Sequence, residues 1–152
     1  MSTLLIFSIV ITICYLCFSA WVTGGVPDSL SATYYTLDKG GWLFSLVLGL
    51  VSLCLCPVWV ESGAYEYLAF LSCGGLLFTA VAPAFKLPLE GAVHYSAAVV
   101  CCVCAVLWVL LNGMYPLAVW WGFLGLMSYV GWGHYMWWLE IAVMGMVFTA
   151  LM

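Results

Sequence analysis

Long apolar runs, separated by short polar punctuation, dominate this chain. Within the runs the apolar positions do not alternate; residues 43–55 and 99–111 are nearly continuous in Leu, Val, Cys, Ala and Trp. A membrane β-strand would show a period of two, so the pattern predicts helices and not a barrel. A helix that crosses a bilayer needs about 20 mostly apolar residues. Runs of this kind cover about residues 3–23, 41–60, 65–84, 92–111, 116–130 and 135–152. The stops between them have physical causes. Gly24-Gly25-Val26-Pro27-Asp28 ends the first run and Glu61 the second. Phe85-Lys86-Leu87-Pro88 ends the third and Asn112-Gly113 the fourth, Gly and Pro being the strongest helix punctuators. The last 39 residues are too long for one span at a rise of about 1.5 Å per residue, and Gly131-Trp132-Gly133-His134 divides them. The expected fold is all-α: one membrane domain over residues 1–152, a transmembrane bundle of six spans. If the short fifth run is discounted, five spans remain.

Composition narrows the class further. Apolar residues make up 68% and charged residues 5% of the chain, where a soluble domain has roughly 45–50% and about 25%. A soluble enzyme and a disordered chain are excluded on that ground. With a net charge of −4 there is no basic footprint for a nucleic acid. The partner implied is the lipid bilayer. The first run lacks a positive n-region and is longer than the roughly 7–15 apolar residues of a secretory signal, so it is expected to be a retained span.

Lys39 and Lys86 fall in loops one and three. The positive-inside rule then puts loops one, three and five in the cytoplasm and both termini outside, in a cell membrane of the bacterial inner-membrane type. Whichever way that face points, it also carries Asp28, Asp38, Glu90, His94 and His134, while Glu61, Glu66 and Asn112 lie on the other.

All eight Cys lie inside predicted spans, Cys14-x-x-Cys17 among them. With no positive charge nearby to favour a thiolate, they are expected to pack as small buried hydrophobes, without a structural disulfide on the outer face. Five of the nine Trp fall between Trp120 and Trp138, the pattern of an aromatic belt at headgroup depth. Ser45 with Gly49 and Gly145 with Thr149 have the small-xxx-small spacing that lets helices approach in lipid. That spacing predicts packing within the bundle, with homo-oligomerisation as the alternative.

Candidate chemistry rests on few residues. Glu140 stands about six residues into the last span, and a carboxyl group at such depth faces a bundle interior or a watery cavity. The alternative for it is a protonated Glu hydrogen-bonded to a neighbouring helix. His94 opens the fourth span and is i+4 from Glu90; His134 opens the sixth span on the same side. With Asp28 these form one ligand or proton site: Glu140, His94, His134, Asp28 and Glu90. A metal is not favoured there; the minimal ligand set would be His94, His134 and a carboxylate, foremost Glu140. The hydroxyl-rich first loop, residues 25–35, would cap the mouth, with Asp28 or Ser29 capping a short helix. No hydrolase elbow, nucleotide-binding or dinucleotide glycine motif is present.

Two resemblances follow from particular residues. Gly74-Gly75-Leu76-Leu77-Phe78, then Ala82-Pro83-Ala84-Phe85-Lys86, then Val93-His94-Tyr95 resembles a pattern in small bacterial multi-pass membrane proteins of uncharacterised function. There a Gly-rich span ends in a Pro-containing loop and the next span opens with His. Val26-Pro27-Asp28-Ser29-Leu30-Ser31-Ala32-Thr33-Tyr34-Tyr35 is similar to their first loop. The likeness covers about a third of the chain and implies a multi-pass fold without an assigned activity. The chain is more remotely similar to the alkaline ceramidase superfamily of metal-dependent lipid hydrolases, which uses a Ser, an Asp and three His with an H-x-x-x-H pair in the last span. Here His134 is followed four residues on by Trp138, a departure from that pair.

The expected function is non-enzymatic. The protein would bind or transport a small or lipidic ligand, without a cofactor, in a cavity near Glu140 and His94 between loops one, three and five. The alternatives are a membrane-embedded lipid hydrolase with a metal on His94, His134 and a carboxylate, and a structural or accessory membrane subunit.

Overall fold

The computed structural model describes residues 2–152, apart from the side chain of Asp38. Six long helices and one short one follow each other, with no strand among the described residues. They are α1 (Thr3–Thr23), the short α2 (Thr33–Thr36), α3 (Trp42–Val60), α4 (Glu66–Val81), α5 (Pro88–Leu111), α6 (Tyr115–Trp132) and α7 (Tyr135–Ala150). A single 3₁₀ turn, Asp38–Gly40, leads from α2 into α3. Helices α1, α3 and α5 are long and apolar enough to cross a membrane, and α4 and α7 are shorter apolar helices.

Helix ends follow local chemistry. Ser2 caps α1 by accepting the Leu4 N–H, and Gly24 closes it in a left-handed conformation at φ 70°. Three helices show the clearest differences from the sequence expectation. α4 stops at Val81 and not near residue 84, because Pro83 has no N–H to continue the helix and disfavours helical backbone just before it. α5 starts at Pro88, four residues ahead of residue 92, since proline is well placed in a first helical turn, where its missing N–H is not needed. α6 runs from Tyr115 to Trp132, longer than 116–130 at both ends, and carries Pro116 in its first turn.

α4 lies between α3 and α5. A β-carbon on Gly75 would sit 2.6 Å from the Ala97 carbonyl oxygen and 2.8 Å from the Cys101 nitrogen, so α4 and α5 meet almost backbone to backbone. Serine hydroxyls bond across both seams: Ser52 donates to the Cys73 carbonyl at 2.7 Å and Ser72 to that of Cys101 at 2.9 Å. α6 pairs with α7, where the Trp121 ring lies on Gly145 and its indole N–H donates to Thr149 Oγ1 at 2.9 Å. That small-residue pair therefore seats a side chain of its own chain. Gly49 faces open space.

The eight Cys all lie in α1, α3, α4 and α5 and are free thiols, but only Cys73 and Cys104 are buried as expected; Cys14 and Cys17 are exposed on α1. The aromatic-belt expectation needs one correction. Trp120 and Trp132 are exposed, but Trp137 is buried in the core because α7 turns that face toward the other helices.

Candidate functional site

Loop one, between α1 and α3, enters the bundle's mouth and does not lie over it. Its local structure comes from its hydroxyls. Ser29 Oγ accepts the Ala32 N–H at 3.0 Å, and the Thr33 N–H reaches the Leu30 carbonyl at 3.2 Å to begin α2. Ser29 thus makes the turn that leads into the short helix. Leu30, Ser31 and Thr33 of this turn are buried.

Three long helices each bond to one residue of this turn. From α1, Tyr15 donates its hydroxyl to Thr33 Oγ1, which in turn donates to the Leu30 carbonyl. From α7, Glu140 Oε2 accepts the Leu30 N–H at 2.6 Å. From α5, His94 Nε2 lies 2.9 Å from Ser31 Oγ. The Ser31 hydroxyl is also a neighbour of the Glu140 carboxyl.

The hydrogen-bond roles at His94 can be assigned. Its Nδ1 is 2.8 Å from the Ala82 carbonyl oxygen. A carbonyl only accepts, so Nδ1 carries the proton; in the neutral ring Nε2 then accepts, and Ser31 donates to it. Pro83 is the origin of this arrangement. By stopping α4 it frees the carbonyls of the last turn, and one of these orphans holds the imidazole. Phe85, Tyr95 and Phe44 surround the ring at centroid distances of 5.2, 5.8 and 6.2 Å, leaving His94 2% exposed.

An outer tier is more open to solvent. Asp28 Oδ1 is 3.0 Å from His134 Nδ1. The Lys86 N–H donates to the Tyr35 hydroxyl at 3.0 Å, and the Lys86 ammonium lies 4.3 Å above the Tyr35 ring. Both imidazoles therefore meet loop one within residues 28–31, on one side of the bundle.

Of the residues singled out by sequence, Glu140, His94, His134 and Asp28 come together around loop one. Glu90 does not join them. It is half-buried in the first turn of α5, one turn ahead of His94, and takes part in none of these bonds. The ligand set His94, His134 and Glu140 is not assembled either. Among the described residues no three His, Cys, Asp or Glu side chains converge as a metal requires. His94 has both nitrogens engaged, and His134 turns to Asp28. Loop-one side chains fill the space where a cavity beside Glu140 and His94 was expected. A lateral groove of about 670 Å³ runs instead between α3, α4 and α5, lined by apolar side chains such as Leu53, Phe70, Phe78 and Val100.

Sequence reasoning missed Tyr15, Leu30, Ser31 and Ala82. Ser31 stood within a segment noted for its hydroxyls, and Ala82-Pro83 announced a freed carbonyl. Neither signal says which side chain receives it. No family model, curated protein or solved structure matches the chain.

Proposed function

We propose that this is an integral membrane protein of six spans that binds or moves a small or lipidic ligand at the polar centre of Ser31, His94 and Glu140. The membrane reading is supported by an inverted polarity. Ser8, Thr12, Ser19, Ser52, Ser72, Thr79 and His94 are buried, while Phe7, Ile13, Leu53, Phe70, Val99 and Leu126 are exposed. Water would penalise that outward face, and lipid would not. Lys39 and Lys86, in loops one and three, favour a cytoplasmic position for this mouth, with the termini outside.

One observation carries the ligand reading. A carboxyl group, an imidazole and a hydroxyl, brought from α7, α5 and loop one, meet at one place inside an otherwise apolar bundle. Ionisable groups inside a membrane protein are costly and mark substrate or proton paths. The Glu140 carboxyl holds loop one by a backbone N–H, a bond that a ligand with its own donor can replace. The ligand would then take the place of the Leu30 N–H at Glu140, with Ser31 still held by His94.

Glu140→Gln tests this. The Gln carbonyl oxygen can still accept the Leu30 N–H, so folding and thermal stability are expected to change little. Ligand retained through purification in native lipid nanodiscs, read by native mass spectrometry, is expected to fall, a carboxylate being a stronger acceptor than an amide for the ligand's donor. A variant that keeps the same retained small molecules as wild type overturns the reading.

A further inference from the structure

We propose that Ser31 and His94 form a nucleophile–base pair that cleaves fatty-acyl esters at the membrane interface. This inference rests on the ligand reading above and names the ligand's chemistry.

Nucleophilic serine chemistry needs a hydroxyl hydrogen-bonded to a base whose other nitrogen is fixed by a third group. All three parts are present. Ser31 Oγ lies 2.9 Å from His94 Nε2, and Nδ1–H is held at 2.8 Å by the Ala82 carbonyl. The Ala82 contact sets the tautomer that leaves Nε2 free to take the serine proton. Its carbonyl belongs to the C-terminal end of α4 and can accept from Nδ1–H in both the neutral and the protonated ring. Phe44, Phe85 and Tyr95 flank the ring, and Ser31 is the hydrogen-bond partner of Nε2 in the resting site.

Depth selects the substrate. His94 is the seventh residue of α5, which places it about 9 Å along the helix from its start. A span that begins near Pro88 would put His94 in the outer part of the bilayer, toward the level of the ester groups of acyl lipids. A water-soluble ester would have to leave its solvent to reach this pair, whereas a lipid ester is already there.

The steps balance without a redox partner. Ser31 Oγ bonds to the ester carbonyl carbon as its proton passes to His94 Nε2. The tetrahedral adduct collapses, the carbon–alkoxy bond breaks, and the leaving alcohol takes the proton from Nε2. Water then attacks the acyl-serine, again giving a proton to Nε2, and the fatty acid departs as Ser31 recovers that proton. Ala82 is a positioning residue here, and Ser31 and His94 are the catalytic ones.

The experiment is active-site labelling of the full chain in nanodiscs with a long-chain alkyl fluorophosphonate, which loses fluoride to an activated serine. The expected result is an adduct mapped to Ser31 by peptide mass spectrometry, together with fatty acid released from phosphatidylcholine in the same discs. Labelling should disappear in Ser31→Ala, fall about 100-fold or more in His94→Gln, and persist in Ser62→Ala, whose hydroxyl lies in the α3–α4 loop. The wild-type adduct needs no variant to fold. Folded wild type that gives no Ser31 adduct overturns the proposal, as does an adduct on Ser31 that survives unchanged in folded His94→Gln. If ligand is retained and falls in Glu140→Gln while Ser31 stays unlabelled, binding stands and cleavage falls. If neither is seen, both fall.

Discussion

The two ends of the bundle solve one problem with different chemistry. At the far end, the α3–α4 loop is tied to α5 by Asn112, whose side-chain amide accepts the Ala64 N–H and donates to the Ala64 carbonyl, both at 3.2 Å. Beside it Trp59 and Trp108 stack edge to face at 5.7 Å. A neutral amide and two indoles suffice to fix a loop on a helix end. At the other end, loop one is held by a phenol, an imidazole and a carboxyl group. Pinning a loop does not require groups that can accept and release protons, and burying them costs more than burying an amide. The difference is what the proposed ligand site at the loop-one mouth would account for.

That contrast can be broken or sharpened by substitution. The largest effect is expected from His94→Leu, which leaves the Ala82 carbonyl and Ser31 hydroxyl without their buried partner. The loss should be about 3 kcal/mol, seen as a lower unfolding temperature in detergent. A loss below about 1 kcal/mol would show that the imidazole is dispensable to folding. Asn112→Ala should cost about 1–2 kcal/mol, since three hydrogen bonds, two to Ala64 and one to the Trp108 carbonyl, are removed. It should leave both ligand retention and Ser31 labelling intact; loss of either would mean that the two ends are coupled. The smallest effect belongs to the Asp28–His134 contact, exposed at 89% and 38%. His134→Gln is expected to shift stability by less than about 0.5 kcal/mol, measured by the same thermal assay. A larger shift would promote this outer tier to part of the buried lock.

Much of the fold is legible in the chain because helix formation in apolar runs is decided locally. The Gly-Gly-x-Pro stop after α1 and the Asn-Gly stop after α5 lie where the helices end. The boundaries that moved, at Pro83 and Pro88, moved for reasons also written in the sequence: proline ends a helix ahead of itself and starts one at itself. Glu140, His94, His134 and Asp28 stand out because an ionisable residue is conspicuous against an apolar background. Ser31 does not stand out, since serine is ordinary in a loop. Glu90 stood out by its spacing from His94 alone, and spacing along a helix does not bring a distant partner.

The sequence by itself determined the helical class, the approximate extent of each long helix and the side on which the ionisable residues gather, because length, hydropathy and helix breakers act over a few turns. Only the tertiary structure decided that loop one enters the mouth, that His94 meets Ser31 across 63 positions, and that Glu140 meets Leu30 across 110. Those contacts depend on how α1, α5 and α7 pack around one turn, and no local pattern of residues carries that distance.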